Sequence, residues 1–274
     1  MIDQARARHE HAGASSSHLW GIVLSGGSTA LLADTVERVA AFVPRSRLLT
    51  VSARRQSRTG PVLAHVQRVI QPSYRGSAAE IFLPALKIER HDPYATVVIL
   101  PGDLIVDHEA RFVTYVGRAI TAVEARPDVP VLLAAPPRAP RAAESWIEPG
   151  PPVEGLERLA VRTVARFVER PSRAEIDALF AGTGLVSTRI VVARARTLIE
   201  LGRRHLPDVL EALEPLETAF GRPEEPLLCD ALYECMPQAS LWPALLASGA
   251  IAVLPLPDML GSEHTLAVLQ ALAS

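Results

Sequence analysis

Two strand-to-turn junctions carry residue types that could handle a phosphorylated ligand. In the first, the apolar run Ile22-Val23-Leu24 ends in Ser25-Gly26-Gly27, and a helix-like pattern begins at once. Glycine lets the backbone approach a phosphate closely, and the N-terminus of the following helix offers N–H groups without intrahelical partners. In the second, the run 95–100 (ATVVIL) empties into Pro101-Gly102-Asp103. A carboxylate at the carboxyl end of a central strand is placed to hold a metal ion beside phosphates. Each junction also has a plainer reading. A Gly-Gly turn can simply pack a strand against a helix, and Asp103 can simply cap the next turn.

Both junctions need a strand–turn–helix frame, and the pattern supplies one. Residues 30–43 carry Leu31, Leu32, Val36, Val39 and Ala40 at helical spacing and stop at Pro44. Buried strands are expected at 48–51 and 69–70, and the run 95–100 is apolar on both faces, as a central parallel strand should be. Ser77 followed by Glu80 has the form of a capping box, so a helix is expected to begin just after Ser77, kinked by Pro84. An amphipathic helix over 109–125 and a buried strand over 129–134 follow. The segment 164–171 alternates like a strand leaving the main sheet, then come a short helix over 173–181 and a strand over 185–192. Helices over 195–204, 206–220 and 228–236, a strand at 251–254 and a last helix at 263–272 complete the reading.

Composition narrows the function classes. The 274 residues are 49% hydrophobic and 21% charged, enough for one large α/β domain. With a net charge of −2 and no basic stripe interleaved with aromatics, nucleic acid is not an expected partner. No apolar run approaches membrane-spanning length, and the first eighteen residues lack the apolar centre of a signal peptide. Residues 1–18 are expected to be a disordered tail and 19–274 a single domain. Cys229 and Cys235 show no zinc spacing, so reduced thiols in the cytoplasm are the expectation. Lys87 is the only lysine; arginine carries the remaining positive charge.

The motifs also occur in a telling order. GIVLSGG resembles a first strand and glycine turn, QPSYRGSAAEI a base-contacting segment, and VVILPGDLIVDHEARF a strand with a metal aspartate. ESWIEPG resembles a sugar-contacting hairpin, RFVERPSRAE a strand that reaches sugar and phosphate, and STRIVVARARTLIELGRRHLPDVLEAL the strand and helices that follow. Together, from about Leu19 to Gly261, they resemble the nucleotidyltransferase domain of the sugar-nucleotide pyrophosphorylases, in particular the mannose-1-phosphate guanylyltransferase branch.

The resemblance implies a Rossmann-like, three-layer α/β/α fold of glycosyltransferase-A-like type, with a mainly parallel mixed sheet. It implies a reaction in which a sugar 1-phosphate and a nucleoside triphosphate, here GTP, give a nucleotide sugar such as GDP-mannose and pyrophosphate, with Mg²⁺ as cofactor. Carried over residue by residue, it places nucleotide contacts at Leu24, Gly26, Gly27, Gln71, Arg75, Gly76 and Ser77. Sugar contacts fall at Glu148, Glu169 and Ser187, metal ligands at Asp103 and Asp258, and the catalytic cation at Arg170.

The sequence departs from the family where the triphosphate is gripped. The family's Gly-Thr-Arg-Leu loop and Pro-Lys segment are missing, because Gly26-Gly27 runs straight into Ser28-Thr29-Ala30-Leu31-Leu32. Glu-Lys-Pro becomes Glu169-Arg170-Pro171, which keeps a charge but not a compact ammonium. The glycine of the sugar hairpin corresponds to Ser145, and the Trp-Asn pair of the next strand to Val186-Ser187. Spacing matches the second metal aspartate to Met259, with Asp258 one residue off. Two function readings follow: a divergent enzyme, or a pseudoenzyme that binds a nucleotide or nucleotide sugar. The sequence leaves the assembly open, between a homo-oligomer, pairing with an active paralogue, or neither.

Overall fold

The computed structural model describes residues 17–26, 28–56, 60–142, 144–247 and 249–258. Gly27, Met259 and the expected helix at 263–272 lie outside these described residues. In chain order the elements are β1 (Leu19–Leu24), α1 (Thr29–Ala40), β2 (Leu48–Ala53), β3 (Gln67–Gln71), α2 (Ser77–His91), β4 (Thr96–Pro101), α3 (Glu109–Ala125), β5 (Val131–Ala135), β6 (Trp146–Pro152), β7 (Arg162–Val168), α4 (Arg173–Ala181), β8 (Leu185–Arg194), α5 (Ala195–His205), α6 (Pro207–Leu213), α7 (Glu225–Cys235), α8 (Leu241–Ala247) and β9 (Ala252–Pro255).

The strands form one nine-stranded sheet in the order β3-β2-β1-β4-β8-β5-β9-β7-β6. Alternate side chains of the central strands enter two separate cores. Ile22, Val97, Ile99 and Val191 pack with Phe82 and Leu86 of α2, Leu198 of α5, Leu210 of α6 and Tyr233 of α7. Val23, Val98, Leu100 and Val192 pack on the other face with Val36 of α1 and Phe112 and Val116 of α3. Helices therefore cover both faces of the sheet, which explains why its central strands are apolar throughout.

Several expectations are corrected. The sheet is mixed but not mainly parallel. β3, β2, β1 and β4 run parallel. β8 then inserts antiparallel between β4 and β5, and β6 and β7 form an antiparallel hairpin. Apolar runs look alike in either direction, so strand sense was not in the pattern. The segment around 164–168 does not leave the sheet: β7 pairs with both β9 and β6. The run 206–220 is not one helix, since α6 gives way at Pro215 to a 3₁₀ turn at Glu214–Thr218. α2 passes through buried Pro84 without a break. Of the expected tail, residues 1–16 lie outside the described residues; the His18 carbonyl accepts the Thr96 N–H at 2.8 Å and its ring nitrogen lies 2.7 Å from Asp92.

Candidate functional site

The carboxyl ends of β1 and β4 lie side by side, with Leu24 paired to Pro101. The Gly102 N–H donates to the Leu24 carbonyl at 2.6 Å, which draws the two turns together. A Cβ on Gly102 would come within 2.5 Å of that carbonyl oxygen and 2.8 Å of a Leu32 methyl, so only glycine fits. Gly26 in the neighbouring turn has its open side toward the carboxylate of Asp103. Asp103 is only 6% exposed, and its carboxylate has no hydrogen bond or ion pair among the described residues. Ser28 caps α1 by accepting the Leu31 N–H, so the helix begins directly after the glycine turn. The connection is residues 25–28 alone, which leaves no room for a longer phosphate loop. Thr35 and Arg38 of α1 bond the carbonyls of Gly102 and Leu104, which ties the helix to the Asp103 turn.

The segment 71–80 forms the next wall. Gln71 is fully buried at the end of β3; its Nε2 donates to the Tyr233 hydroxyl at 3.0 Å, and its Oε1 has no partner. Burial pushes the Tyr233 phenol above its ordinary range. The expected capping box is not formed. Gly76, at φ 87°, occupies the N-cap, and Ser77 is the first helical residue. The Ser77 hydroxyl instead accepts the Leu241 N–H at 2.9 Å. The Arg75 carbonyl accepts the Ala239 N–H, and the Ala239 carbonyl accepts the Ala78 N–H. The Arg75 guanidinium donates to the carbonyls of Tyr233 and Glu234 at the end of α7. The turn expected to hold a base thus docks the C-terminal helices, with its polar groups engaged inside the chain. Glu80, freed from capping, keeps part of its surface in solvent, yet burial pushes its carboxyl up to about 7 against the opposing pull of Arg189.

The sugar-side expectations are scattered. Glu148 on β6 pairs across the ladder with Arg166 on β7, whose Nε lies 3.4 Å from its carboxylate. Arg166 also reaches Glu175, at 3.7 Å. Glu169 lines a cavity of about 500 Å³ with Arg166, Phe167 and Pro243. Arg170 is exposed and left-handed (φ 54°), at the corner between β7 and α4. Ser187 lies at a bulge in β8, its N–H bonded to the Ser145 carbonyl and its hydroxyl accepting the Arg189 N–H.

Asp258 does not stand free for a cation. The Arg138 guanidinium donates to it at 2.9 Å and reaches Asp107 at 3.1 Å, so an internal cation already neutralises both carboxylates. Among the described residues no three His, Cys, Asp or Glu side chains converge on one point. Of the two expected metal ligands, Asp103 is the one left unpaired among the described residues, and Mg²⁺ is commonly held by one or two carboxylates completed by substrate phosphates. Arg189 and Arg138 escaped the sequence reading, and Glu80 was read only as a cap; the visible signal for Arg189 was a charge in the middle of an expected strand.

No protein-family model matches the chain. It is 24% identical over 225 residues to the mannose-1-phosphate guanylyltransferase of Escherichia coli strain K12, covering 76% of this chain and 47% of that protein. The corresponding Klebsiella pneumoniae enzyme is 23% identical over 220 residues, covering 74% of this chain and 46% of that protein. The chain spans about half the length of these curated relatives. Among solved structures, one described as mannose-1-phosphate geranyltransferase from Thermus thermophilus superposes with a TM-score of 0.76 at 22% identity, over 90% of this chain and 76% of that one. One described as mannose-6-phosphate isomerase from Helicobacter pylori gives 0.70 at 17% identity, over 87% and 97%. These likenesses support a divergent member of the sugar-nucleotide pyrophosphorylase and nucleotidyltransferase family. Among the described residues no helix is long and apolar enough to cross a membrane.

Proposed function

We propose, for a divergent member of the sugar-nucleotide pyrophosphorylase family, that the carboxyl edge of β1 and β4 binds GTP beside a sugar 1-phosphate, mannose 1-phosphate by preference. The observation that carries this reading is the open face of Gly26 set against the buried carboxylate of Asp103. A backbone turn without a side chain admits phosphates, and the carboxylate beside it would hold their Mg²⁺. That ion, when bound, supplies neutralisation of the triphosphate charge.

In the reaction, a phosphate oxygen of the sugar phosphate attacks the α-phosphorus of GTP. The bond from that phosphorus to the bridging oxygen breaks, and pyrophosphate leaves with the electron pair. The protein's share is to place the reactants and to balance charge. Leu24, Gly26 and Gly27 would back the nucleotide, and Gly76 and Ser77 would shape the base-side wall, with fully buried Gln71 supporting that wall from behind through Tyr233. The resemblance alone would turn Glu148, Glu169 and Ser187 toward the sugar and set Arg170 beside its phosphate. Loss of one clamp on a developing charge costs roughly 100- to 1000-fold in rate. With residues 25–28 too short for a phosphate loop, and Arg75 and Arg138 engaged elsewhere, transfer is expected to be slow.

A second reading is a nucleotide binder without turnover, favoured by the ion pairs of Arg138 with Asp258 and Asp107. Pyrophosphate release from GTP, Mg²⁺ and mannose 1-phosphate separates the two. Slow release that Asp103→Asn abolishes supports the enzyme; GTP binding without release supports the binder; release indifferent to Asp103→Asn contradicts the site.

A further inference from the structure

Arg189 lies where the sheet ladder is interrupted. β5 pairs Leu133 with Ile190 and then Ala134 with Ser187, so Thr188 and Arg189 bulge out of the ladder. Arg189 is left-handed (φ 60°), a conformation non-glycine residues rarely adopt, and such bulges re-aim side chains. Hydroxyls hold it there. Thr188 donates to the Leu133 carbonyl and accepts the Ile190 N–H, and Ser187 accepts the Arg189 N–H.

The register puts this bulge at the candidate site. The last pair between β4 and β8 is Ile99 with Val191, so Arg189, two residues further along β8, lies toward the end of β4 where Pro101 pairs with Leu24 of β1. The bulge therefore lies two strands over from β1 in the sheet order. Val191 and Ala193 of the same strand pack on the α2 side. Arg189 acts electrostatically on Glu80 and Tyr74, so its charge lies on that side too, over the start of α2. No ion pair to Arg189 exists among the described residues, whereas Arg138 and Arg166 are each shared between two carboxylates. In the same wall the Gln71 amide is fully buried with one end unpaired, whichever way the amide is turned.

We propose that Arg189 is an anion-binding residue of this cleft, taking a phosphate of the bound nucleotide or of the sugar phosphate, with Glu80 as the group that competes for it. The proposal rests on the functional reading above and adds to it a residue and a proton. The titratable groups facing Glu80 are Arg189 from β8, Tyr74 from the loop before α2, and Tyr233 from α7. Glu80 titrates at about 7, so near neutrality it is partly protonated. A phosphate docked on Arg189 repels the ionised carboxylate and removes its partner; both effects draw a proton onto Glu80. Binding therefore takes up a proton, and affinity falls as pH rises through 7.

The test is calorimetry of GTP with Mg²⁺, and separately of mannose 1-phosphate, at pH 6 to 8 in buffers of different ionisation enthalpy. The wild type is expected to take up protons with the ligand whose phosphate meets Arg189. Glu80→Gln is expected to bind that ligand without this proton uptake, leaving only the pH dependence set by the ligand's own phosphate, whose second pKa is about 6. Arg189→Gly suits the left-handed backbone, so the fold and melting temperature are retained, and affinity for that ligand is expected to fall roughly 10-fold or more. Binding that Arg189→Gly leaves unchanged overturns this proposal alone. A wild type that binds neither ligand overturns the functional reading, and this proposal with it.

Discussion

A Cβ placed on Gly26 would sit 3.5 Å from the carboxyl carbon of Asp103 and 3.6 Å from each of its oxygens. That is ordinary contact for one methyl group, but a branched side chain would lie on the carboxylate itself. Gly26→Val is therefore expected to leave stability within about 1 kcal/mol of wild type while weakening GTP–Mg²⁺ binding at least ~10-fold. Urea titration and calorimetry measure the two effects separately. A variant that binds as the wild type does would show that the ligand lies elsewhere.

Gly76 makes the opposite kind of prediction. Its φ is +87°, and an added Cβ would come within 2.2 Å of the Ala239 carbonyl oxygen. That carbonyl accepts the Ala78 N–H, so it has little freedom to move. Gly76→Ala should cost about 2–4 kcal/mol in a denaturant titration. A loss below the error of the measurement would mean that the 239–241 segment does not dock on this turn.

Glu80 gives the protein a pH-dependent stability of definite sign. Its folded-state carboxyl titrates at about 7 instead of 4.5 because burial penalises the ionised form. Between those values the folded protein binds a proton that the unfolded chain has released. This contribution is fully present below pH 4.5 and is lost as pH rises to about 7. Glu80→Gln should remove that loss, making stability flatter with pH over the window. Equal slopes in the two proteins would contradict it.

Arg138 stands between Asp107 and Asp258 as their shared counter-charge. Removing it leaves two carboxylates that repel each other and favour a divalent cation. Arg138→Ala is expected to bind Mn²⁺ more tightly than wild type, by roughly threefold or more on the scale of an exposed charge interaction. Unchanged Mn²⁺ affinity would show the two carboxylates too far apart or too mobile to cooperate.

The strands and the two glycine junctions were legible because short apolar runs bounded by Gly and Pro have few other uses. Asp103 was legible for the same reason, as the first charge after the most strand-like run in the chain. Strand direction was not, since apolar runs read alike either way, and the antiparallel insertion of β8 depends on contacts far away in sequence. The Ser77/Glu80 pattern misled because Ala239 and Leu241 supply the partners that a local cap would have supplied. The capping box that does form is at Ser172 and Glu175, where the hydroxyl and carboxylate bond each other's local backbone. Arg75 and Asp258 kept the residue types that the resemblance calls for, but the fold engages both in internal bonds. No sequence pattern announces such a partner when it lies more than a hundred positions away.

The most direct measurement is calorimetric titration of GTP with Mg²⁺ into the wild type and into Asp103→Asn, each confirmed folded by its melting temperature. Binding by the wild type is expected, with its loss, by at least ~100-fold, in the variant. Equal affinity in the two proteins would contradict a phosphate site built on Asp103, and so would a wild type that does not bind.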